Sequence, residues 1–524
     1  VMNVLPIRVA PDEDGSIADY IAALSDTLTQ ARKHGRYRSE QLRRDLGLIG
    51  GAKRLYGPLV NVQPYDRPPR FHGLDATLHV TGTGPVEDIN FTFRGDAVQG
   101  LTLEIDANPN LYTQEEVAAH GERLAIFLAN AVRADTLSAV QTATPQEARR
   151  ELEAYNATAH PVPDTSLAAL IEHAMRAFPD RPAVSFGSET WDYAELDRRS
   201  RALAQELRER GVGAEAIVAV ALPRSLELVV ALVAILRAGG AYLPIDLDHP
   251  PARIATILAQ AALMLILAQD DPAELYGDRL FSPSHWSQER GESLSPPSAT
   301  DPAYVIFTSG STGNPKGAVL TNANLFSLRQ PAEAAAQPWS SWDEDEAILI
   351  CMPCAHIGGT GLGIMAIAAG IRAIVQAEFT PDGVLDAFEQ GITRLFIVPA
   401  ALQMVVQHPR AKDTDMSAVK YVMYGAAPIP LDLLREAVQT IPGAGFLQCY
   451  GMTETTGTIA MLPPEDHALD GNQRMRSAGK AVPGAELKVV GDVEMLIGNI
   501  AEVPPVLGFD EELPGKRLGL LRIT

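Results

Sequence analysis

Cysteine is scarce: Cys351, Cys354 and Cys449 are the only three in 524 residues. That number cannot build a disulfide framework for a chain of this size, so a reducing, cytoplasmic setting is expected. Cationic side chains are also in deficit, with 43 Lys and Arg against 65 Asp and Glu and a net charge of −22. This balance argues against a nucleic-acid partner, because phosphate backbones are gripped by clustered cations. No apolar run reaches the ~20 residues of a membrane span. The most apolar region, residues 217–245, is interrupted by Pro223, Arg224 and Glu227 and then by Gly239 and Gly240. The opening VMNVLPIRV lacks the charged segment, apolar core and small-residue cleavage site of a secretory signal. Internal repeats and low-complexity tracts are absent as well.

What remains is an ordinary globular composition, 46% hydrophobic and 21% charged. The length exceeds the roughly 250–300 residues at which single cores stop growing, so two or more domains are expected. Residues 1–150 mix helical periodicity (Ile17 to His34, Gln114 to Val132) with alternating strands (Ala76 to Val80, Leu101 to Ile105), an α+β pattern. A charged stretch, Thr144 to Ala154, leads into Tyr155 to Ser166, where Pro, Asn, Thr and Ser take over as in linkers, and residues 151–166 are read as the linker. Beyond them, short β-branched runs alternate with helical patterns, the signal for βαβ units and parallel sheets with flanking helices. The clearest unit is IVAVALP, RSLELVVALVAILRAGG and AYLPID: strand, helix stopped at Gly239, strand. Ahead of it, Asp192 and Glu195 have the spacing of a capping box opening a helix that runs through Arg208.

Several later strands end in small or polar residues: ILICMP before CAHIGG, RLFIVP before AALQ, VKYVMY before GAAP, FLQC before YGMTETTG, and YVIF before TSGSTGNPKG. Ligands of open parallel sheets sit outside the carboxyl ends of strands, so these tips predict one shared pocket. In the last loop, Gly310, Gly313 and Gly317 let backbone N–H groups approach an anion. Thr308, Ser309, Ser311 and Thr312 add hydroxyls, and Lys316 adds a point charge. Pro315 stands where a Walker A loop requires glycine, which disfavours a P-loop kinase or ATPase. Cys351 and Cys354 form a C-x-x-C spacing. A zinc or redox site is one reading, but no second cysteine pair accompanies it and Cys351 lies in a run that reads as buried strand.

TSGSTGNPKG together with YGMTET (450–455) resembles the phosphate loop and the aromatic-plus-acid motif of the adenylate-forming ligases. That superfamily contains acyl-CoA synthetases, luciferases and nonribosomal peptide synthetase adenylation domains. LRAGGAYLPIDLDHP (236–250) and WDYAELDRRSRALA are similar to the adenylation-domain form, and the resemblance covers residues 165 to 490. It implies an α/β fold, the large N-terminal domain of an adenylate-forming enzyme with a small β subdomain. It also implies ATP-dependent activation of a carboxylic acid as an acyl-adenylate, with release of pyrophosphate. By the same resemblance Thr308, Ser309, Gly310, Ser311, Thr312, Gly313, Lys316 and Gly317 hold the β and γ phosphates of ATP, with Lys316 near the departing pyrophosphate. Glu454 binds Mg²⁺, Thr453 touches the α-phosphate, and Tyr450, Gly451 and the turn Gly425, Ala426, Ala427 flank the adenine.

His356, in PCAHIGGTG, resembles the acyl-CoA synthetase version of this region, where a histidine borders the carboxylate pocket. A structural core histidine is the alternative. Amino-acid-activating domains carry an Asp here, and residues 348–364 contain none. A buried ammonium without a counter-charge is costly, so an aryl or fatty acid lacking the α-amine is the expected substrate.

Residues 1–150 resemble the C-terminal half of a condensation domain, carried by RYRSEQLRRDLGLIGG, GPLVNVQPYD and DANPNLY; an unrelated α+β domain is the alternative. His34, His72, His79 and His120 are isolated from one another, so peptide-bond formation by this segment alone is not expected. VPGAELKVV and ELPGKRLGLLRIT resemble late strands of the large domain, with residues 491–524 as its truncated end. The small lid domain and a carrier domain with phosphopantetheine are expected elsewhere, and Lys516 is not assigned the lid lysine's role. On this reading the chain binds ATP and Mg²⁺ but adenylates slowly, and a carrier domain or CoA accepts the acyl group in the complete enzyme. A stand-alone acyl-CoA ligase and a non-catalytic nucleotide-binding scaffold are the other readings.

Overall fold

The computed structural model describes residues 7, 9, 15–48, 57–63, 72, 86–96, 100–140, 142–271, 274–287, 291–292, 294–308, 314–328, 337–467, 473–490 and 494–498. The chain divides into two compact units, Val1–Glu151 and Leu152–Thr524.

In the first unit, the helix Ile17–Lys33 is capped by the Ser16 side chain. A three-stranded sheet follows, in which Leu59–Gln63 pairs parallel to Ile89–Asp96 and the latter pairs antiparallel to Gly100–Ala107. The helix Gln114–Ala131 opens on a full capping box, Thr113 with Glu116. His120 lies 2.9 Å from an Arg123 nitrogen, and Arg123 also pairs with Glu147, which holds that carboxyl down at about 2. The expected strand at Ala76 to Val80 lies outside the described residues, as does His79.

Two sheets organise the second unit. One runs Lys316–Thr321, Pro302–Thr308, Ala241–Pro244, Ile217–Ala221, Leu263–Ala268, Leu280–Phe281, parallel except for its first edge strand. The other places Gly445–Met452, Tyr421–Gly425, Arg394–Ile397, Ala347–Ile350, Arg372–Val375 and Pro182–Phe186 side by side in parallel. Its edges are antiparallel: Glu189–Asp192 on one side, Gly457–Leu462 and Lys480–Ala481 on the other. Successive strand residues face opposite layers. Val218 and Val220 meet Ile348 and Ile350 in the core between the sheets, whereas Ala219 with Ala221, and Ala347 with Leu349, face the outer helices.

The helices Leu167–Ala177, Tyr193–Glu209, Leu226–Ala238 and Ile357–Ala368 contribute to the inner layer. Leu226–Ala238 starts at the Ser225 cap, stops at Gly239 (φ 84°), and is buried from Leu228 to Ala238. A helix apolar all round is stable only when both flanks are covered, and here a sheet lies on each side. Its one buried charge, Arg237, is 2% exposed and meets Asp197 at 2.8 Å, Ser200 at 2.9 Å and Glu172 at 3.4 Å. This group ties three helices together. At Asp192 the expected capping box is half made. The Asp192 carboxylate accepts from the Glu195 N–H at 2.7 Å, but Glu195 turns to Arg198 and Arg199, at 2.8 and 2.6 Å, because two guanidiniums outcompete one backbone N–H.

Residues 155–166 are not a free tether. Asn156 exchanges two hydrogen bonds with Leu487, of 2.9 and 2.7 Å, and Thr158 donates to the Ala485 carbonyl at 2.7 Å. That clamps the segment beside the hairpin of Glu486–Val490 and Glu494–Gly498. Residues 499–524, with ELPGKRLGLLRIT and Lys516, lie outside the described residues. Among the described residues no helix is long and apolar enough to cross a membrane.

Replacing Arg237 with Ala leaves Glu172 and Asp197 without their buried partner, a change that costs about 3–5 kcal/mol in comparable settings. Urea unfolding of the Arg237→Ala variant is therefore expected to show a markedly lower midpoint, and an unchanged midpoint contradicts this role.

Candidate active site

Thr308 and Lys316 face each other as the last register pair of an antiparallel ladder, so the loop between them is a hairpin tip. Its centre, Ser309, Gly310, Ser311, Thr312 and Gly313, lies outside the described residues. Gly317 has a packing reason of its own: a Cβ there would sit 3.1 Å from both Phe307 and Val305 side chains. The strand end that carries Thr308 belongs to the six-stranded sheet, whereas the other four strands with small or polar tips lie in the nine-stranded one. The cavity described below is lined by strands of the nine-stranded sheet, and the end of the Thr308 strand approaches its rim from the other sheet. The two sheets meet where the Thr308 hydroxyl donates to Glu454 Oε1 at 3.3 Å, across 146 residues of sequence.

Glu454 sits on the short turn Thr453–Thr455 that follows the strand Gly445–Met452. The strand therefore continues through the first half of YGMTET. A register shift falls between Tyr450 and Gly451, and a Cβ at Gly451 would lie 1.5 Å from the Gly457 carbonyl oxygen. Only glycine allows that approach. Thr455 secures the turn by donating to the carbonyls of Met452 and Gly457, at 2.9 and 2.7 Å.

A cavity of about 590 Å³ opens beside this turn, with Thr453, Gly451, Ala426 and His356 on its wall. His356 is the N-cap residue of the glycine-rich helix Ile357–Ala368 and is exposed, which removes the core-histidine reading. Gly358 lets that helix rest on the sheet, since a Cβ there would be 2.7 Å from the Phe396 ring. Ala426 is held at φ 65°, a strained conformation for a residue with a Cβ, while Gly425 packs against the Cys449 carbonyl. Ala427 is exposed on the same turn but is not on the cavity wall.

Tyr450 itself is not on the wall of this cavity. Strand alternation puts Leu447, Cys449 and Gly451 on the cavity and turns Tyr450 away, and its ring packs with Leu328, Ile459, Val482 and Ala485.

Sequence reasoning missed the inner wall. Arg394 and Phe396 on one strand, Tyr421 and Met423 on the next, and Leu447 on a third line it at alternate positions. The i, i+2 spacing was readable, but which face is hollow depends on the helix laid over it. Arg394 is 3% exposed and gripped by Glu346, one of whose contacts is 2.9 Å, and it donates to the Trp339 carbonyl at 2.6 Å. Its guanidinium carbon lies 4.4 Å from the Trp342 ring centroid and 4.8 Å from that of Tyr421.

The two cysteines of C-x-x-C are inert by burial, which pushes Cys351 up to about 12 and Cys354 to about 11. Among the described residues no group of three or more His, Cys, Asp and Glu side chains could hold a metal alone. Glu454 is a single exposed carboxylate, which suits Mg²⁺: that ion keeps waters and takes one or two carboxylates plus substrate phosphates.

A family model described as AMP-binding enzyme matches residues 171–499. The chain belongs to this family. Among curated relatives, a dimodular nonribosomal peptide synthase of Bacillus subtilis is 31% identical over 87% of this chain and 20% of its own length. Enterobactin synthase component F of Escherichia coli is 30% identical over 99% of this chain and 40% of its own length. The chain thus spans well under half of either relative. In fold, it is similar to the AMPPNP-bound form of the nonribosomal peptide synthetase FmoA3, with a TM-score of 0.65 at 22% identity, covering 94% of this chain and 55% of that one. Within the AMP-binding family, the α/β architecture of this member's second unit carries the cavity along its parallel strands, from Cys449 and Ala426 near their carboxyl ends down to Arg394 and Tyr421 at their starts.

Behind the Gly425 turn, the Tyr424 hydroxyl lies 2.9 Å from His467 Nε2, and His467 Nδ1 lies 2.9 Å from the Pro463 carbonyl. A carbonyl only accepts, so Nδ1 bears the proton and Nε2 accepts from the phenol. Burial pushes the His467 pKa below its usual 6.5, although the Pro463 carbonyl and the nearby Asp466 and Glu465 carboxylates pull it upward. With the folded value below the unfolded one, the unfolded chain binds more protons through that window. Stability is therefore lost as the pH falls below about 6.5. Acid titration of thermal stability is expected to show this loss as the pH falls below 6.5 in the wild type. His467→Gln, which keeps a donor and an acceptor, is expected to abolish it. The carboxylates held near 2, such as Glu195, act only at lower pH.

Proposed function

We propose that the unit from Leu152 onward activates a carboxylic acid by adenylation, within a nonribosomal peptide synthetase-like assembly line. The observation that carries this reading is the Thr308 to Glu454 hydrogen bond. It brings the end of the glycine-hydroxyl-lysine loop onto the turn that carries Thr453, at the mouth of a cavity large enough for a small acid.

In the reaction, a carboxylate oxygen of the acid bonds to the α-phosphorus of ATP while the bond from that phosphorus to the bridging oxygen of the β-phosphate breaks. Acyl-AMP and pyrophosphate result, with no net proton transfer. Two anions must meet, so the chain's task is to neutralise and orient them. Lys316 and the hydroxyls and N–H groups of residues 308–317 face the β and γ phosphates, Thr453 donates to the α-phosphate, and His356 borders the acid's carboxylate. Glu454, held by Thr308, is the carboxylate positioned to bind Mg²⁺, which when bound offsets phosphate charge and favours departure of pyrophosphate. The turn Gly425, Ala426, Ala427 and the backbone at Gly451 are the surfaces offered to adenine. Tyr450 serves from the opposite face of the strand, as packing.

We infer further that residues 1–150 are the C-terminal half of a condensation domain. Similarity to enterobactin synthase component F over 99% of the chain supports this. A carrier domain bearing phosphopantetheine, or CoA, is then the acyl acceptor, and a cytoplasmic setting fits the presence of only three cysteines in 524 residues.

Acid-dependent ATP–pyrophosphate exchange by the full-length protein tests the reading. Glu454→Gln is expected to lower exchange at least 100-fold and to raise the Mg²⁺ requirement, and Lys316→Ala to lower it comparably. His356→Ala is expected to raise the KM for the acid more than that for ATP; unchanged acid kinetics would remove His356 from the site.

A further inference from the structure

The cavity has a direction. Its walls run down the parallel strands in rows: Cys449, which pairs with Gly425, then Phe396, Met423 and Leu447, then Arg394 with Tyr421. From Gly425 to Tyr421 is four residues of strand, roughly 13 Å at the usual rise. A ring bonded directly to a carboxyl group at the Thr453 end stops short of the last row and leaves apolar wall in water.

That last row is aromatic and electrically closed. The Arg394 guanidinium lies between the Trp342 and Tyr421 rings, and Glu346, 1% exposed in its side chain, neutralises it. Among the described residues a second anionic group on the substrate would find no free positive charge at this row; the other cation on the wall, Lys480, belongs to the edge strand Lys480–Ala481. A substrate ammonium fares no better. Among the described residues the only carboxylate on the wall is Glu465, which is exposed on the turn Pro464–Asp466. Glu346 is already committed to Arg394 and to Lys420 at 3.3 Å. An ammonium desolvated in this cavity would stay unpaired, a costly state.

Taking the adenylation reading as its basis, we propose that the acid is an elongated aromatic one without an α-amine: an aryl ring separated from its carboxyl group by a spacer of two or three carbons. The ring reaches the row of Arg394 and Tyr421, where aromatic neighbours gain from edge-on and offset contact that an alkyl chain cannot match. Arg394 is a positioning residue, fastening the segment 339–342 over the far end through the Trp339 and Ser341 carbonyls. Met423, midway, sets the usable length.

The test is pyrophosphate exchange by the full-length protein with 3-phenylpropenoate, 4-phenylbutyrate, benzoate, octanoate and L-phenylalanine, alongside calorimetric titration with ATP and Mg²⁺. The expected result is a kcat/KM at least tenfold higher for the two spaced aryl acids than for the other three. Met423→Trp, which obstructs the middle row, is expected to lower the ratio of 4-phenylbutyrate to benzoate at least tenfold. Preference for L-phenylalanine, benzoate or octanoate overturns the proposed class while leaving adenylation in place, as does an unchanged ratio in a folded Met423→Trp protein. If that variant does not fold, the wild-type panel decides by itself. Binding of ATP without exchange for any acid overturns the adenylation reading and this proposal together.

Discussion

Parallel strands covered on both faces have no room for polar side chains along their length, so polar chemistry is confined to their ends. That constraint governs the second unit of this chain. Runs such as IVAVA and AILI supply apolar residues to two layers at once, and the helix Leu226–Ala238 is buried almost all round because a sheet lies on each side of it. Among the described residues, Thr308, Gly425, Gly451 and the carboxylate of Glu454 are left at or just beyond the carboxyl ends. Two sheets that share an inner layer bring two such sets of ends together, and the Thr308 to Glu454 contact is the consequence.

The same layering explains how charge is handled. Arg237 and Arg394 are both nearly inaccessible, and each is matched by carboxylates and by oxygen acceptors from neighbouring segments. Removing a guanidinium from water is tolerable only with that degree of compensation. At Arg237 the result is a fastening among helices. At Arg394 it is a rigid, neutral end wall for the cavity, with aromatic rings on the guanidinium. Glu454, the carboxylate proposed to bind Mg²⁺, is by contrast exposed, with the Thr308 hydroxyl as its hydrogen-bond donor at 3.3 Å.

Glycine acts at a few places by letting backbone approach backbone or ring. At Gly451 the strand crosses the Gly457 carbonyl, and at Gly358 a helix settles on Phe396. Together these approaches bring the turn bearing Thr453 and the N-terminus of the His356 helix to one cavity. Ala426, held at positive φ without being glycine, marks the same rim as a place where local strain is tolerated.

Much of this was legible in the sequence. The alternation of β-branched runs with helical patterns determined parallel sheets, Gly239 determined a helix end, and TSGSTGNPKG with YGMTET pointed to two segments of one site, whose Thr308 and Glu454 are in hydrogen-bond contact. These are local signals: period, turn chemistry and residue type act within a few residues of one another. The tertiary structure decided what local signals do not encode. It put the loop and the acid at the ends of different sheets, turned Tyr450 to the face away from the cavity, and converted residues 155–166 from a tether into a clamped segment. It also chose which face of Arg394, Phe396, Tyr421 and Met423 would be hollow. A strand offers both faces equally, and only the helix and loop that pack over it, drawn from distant parts of the chain, determine which one becomes a wall.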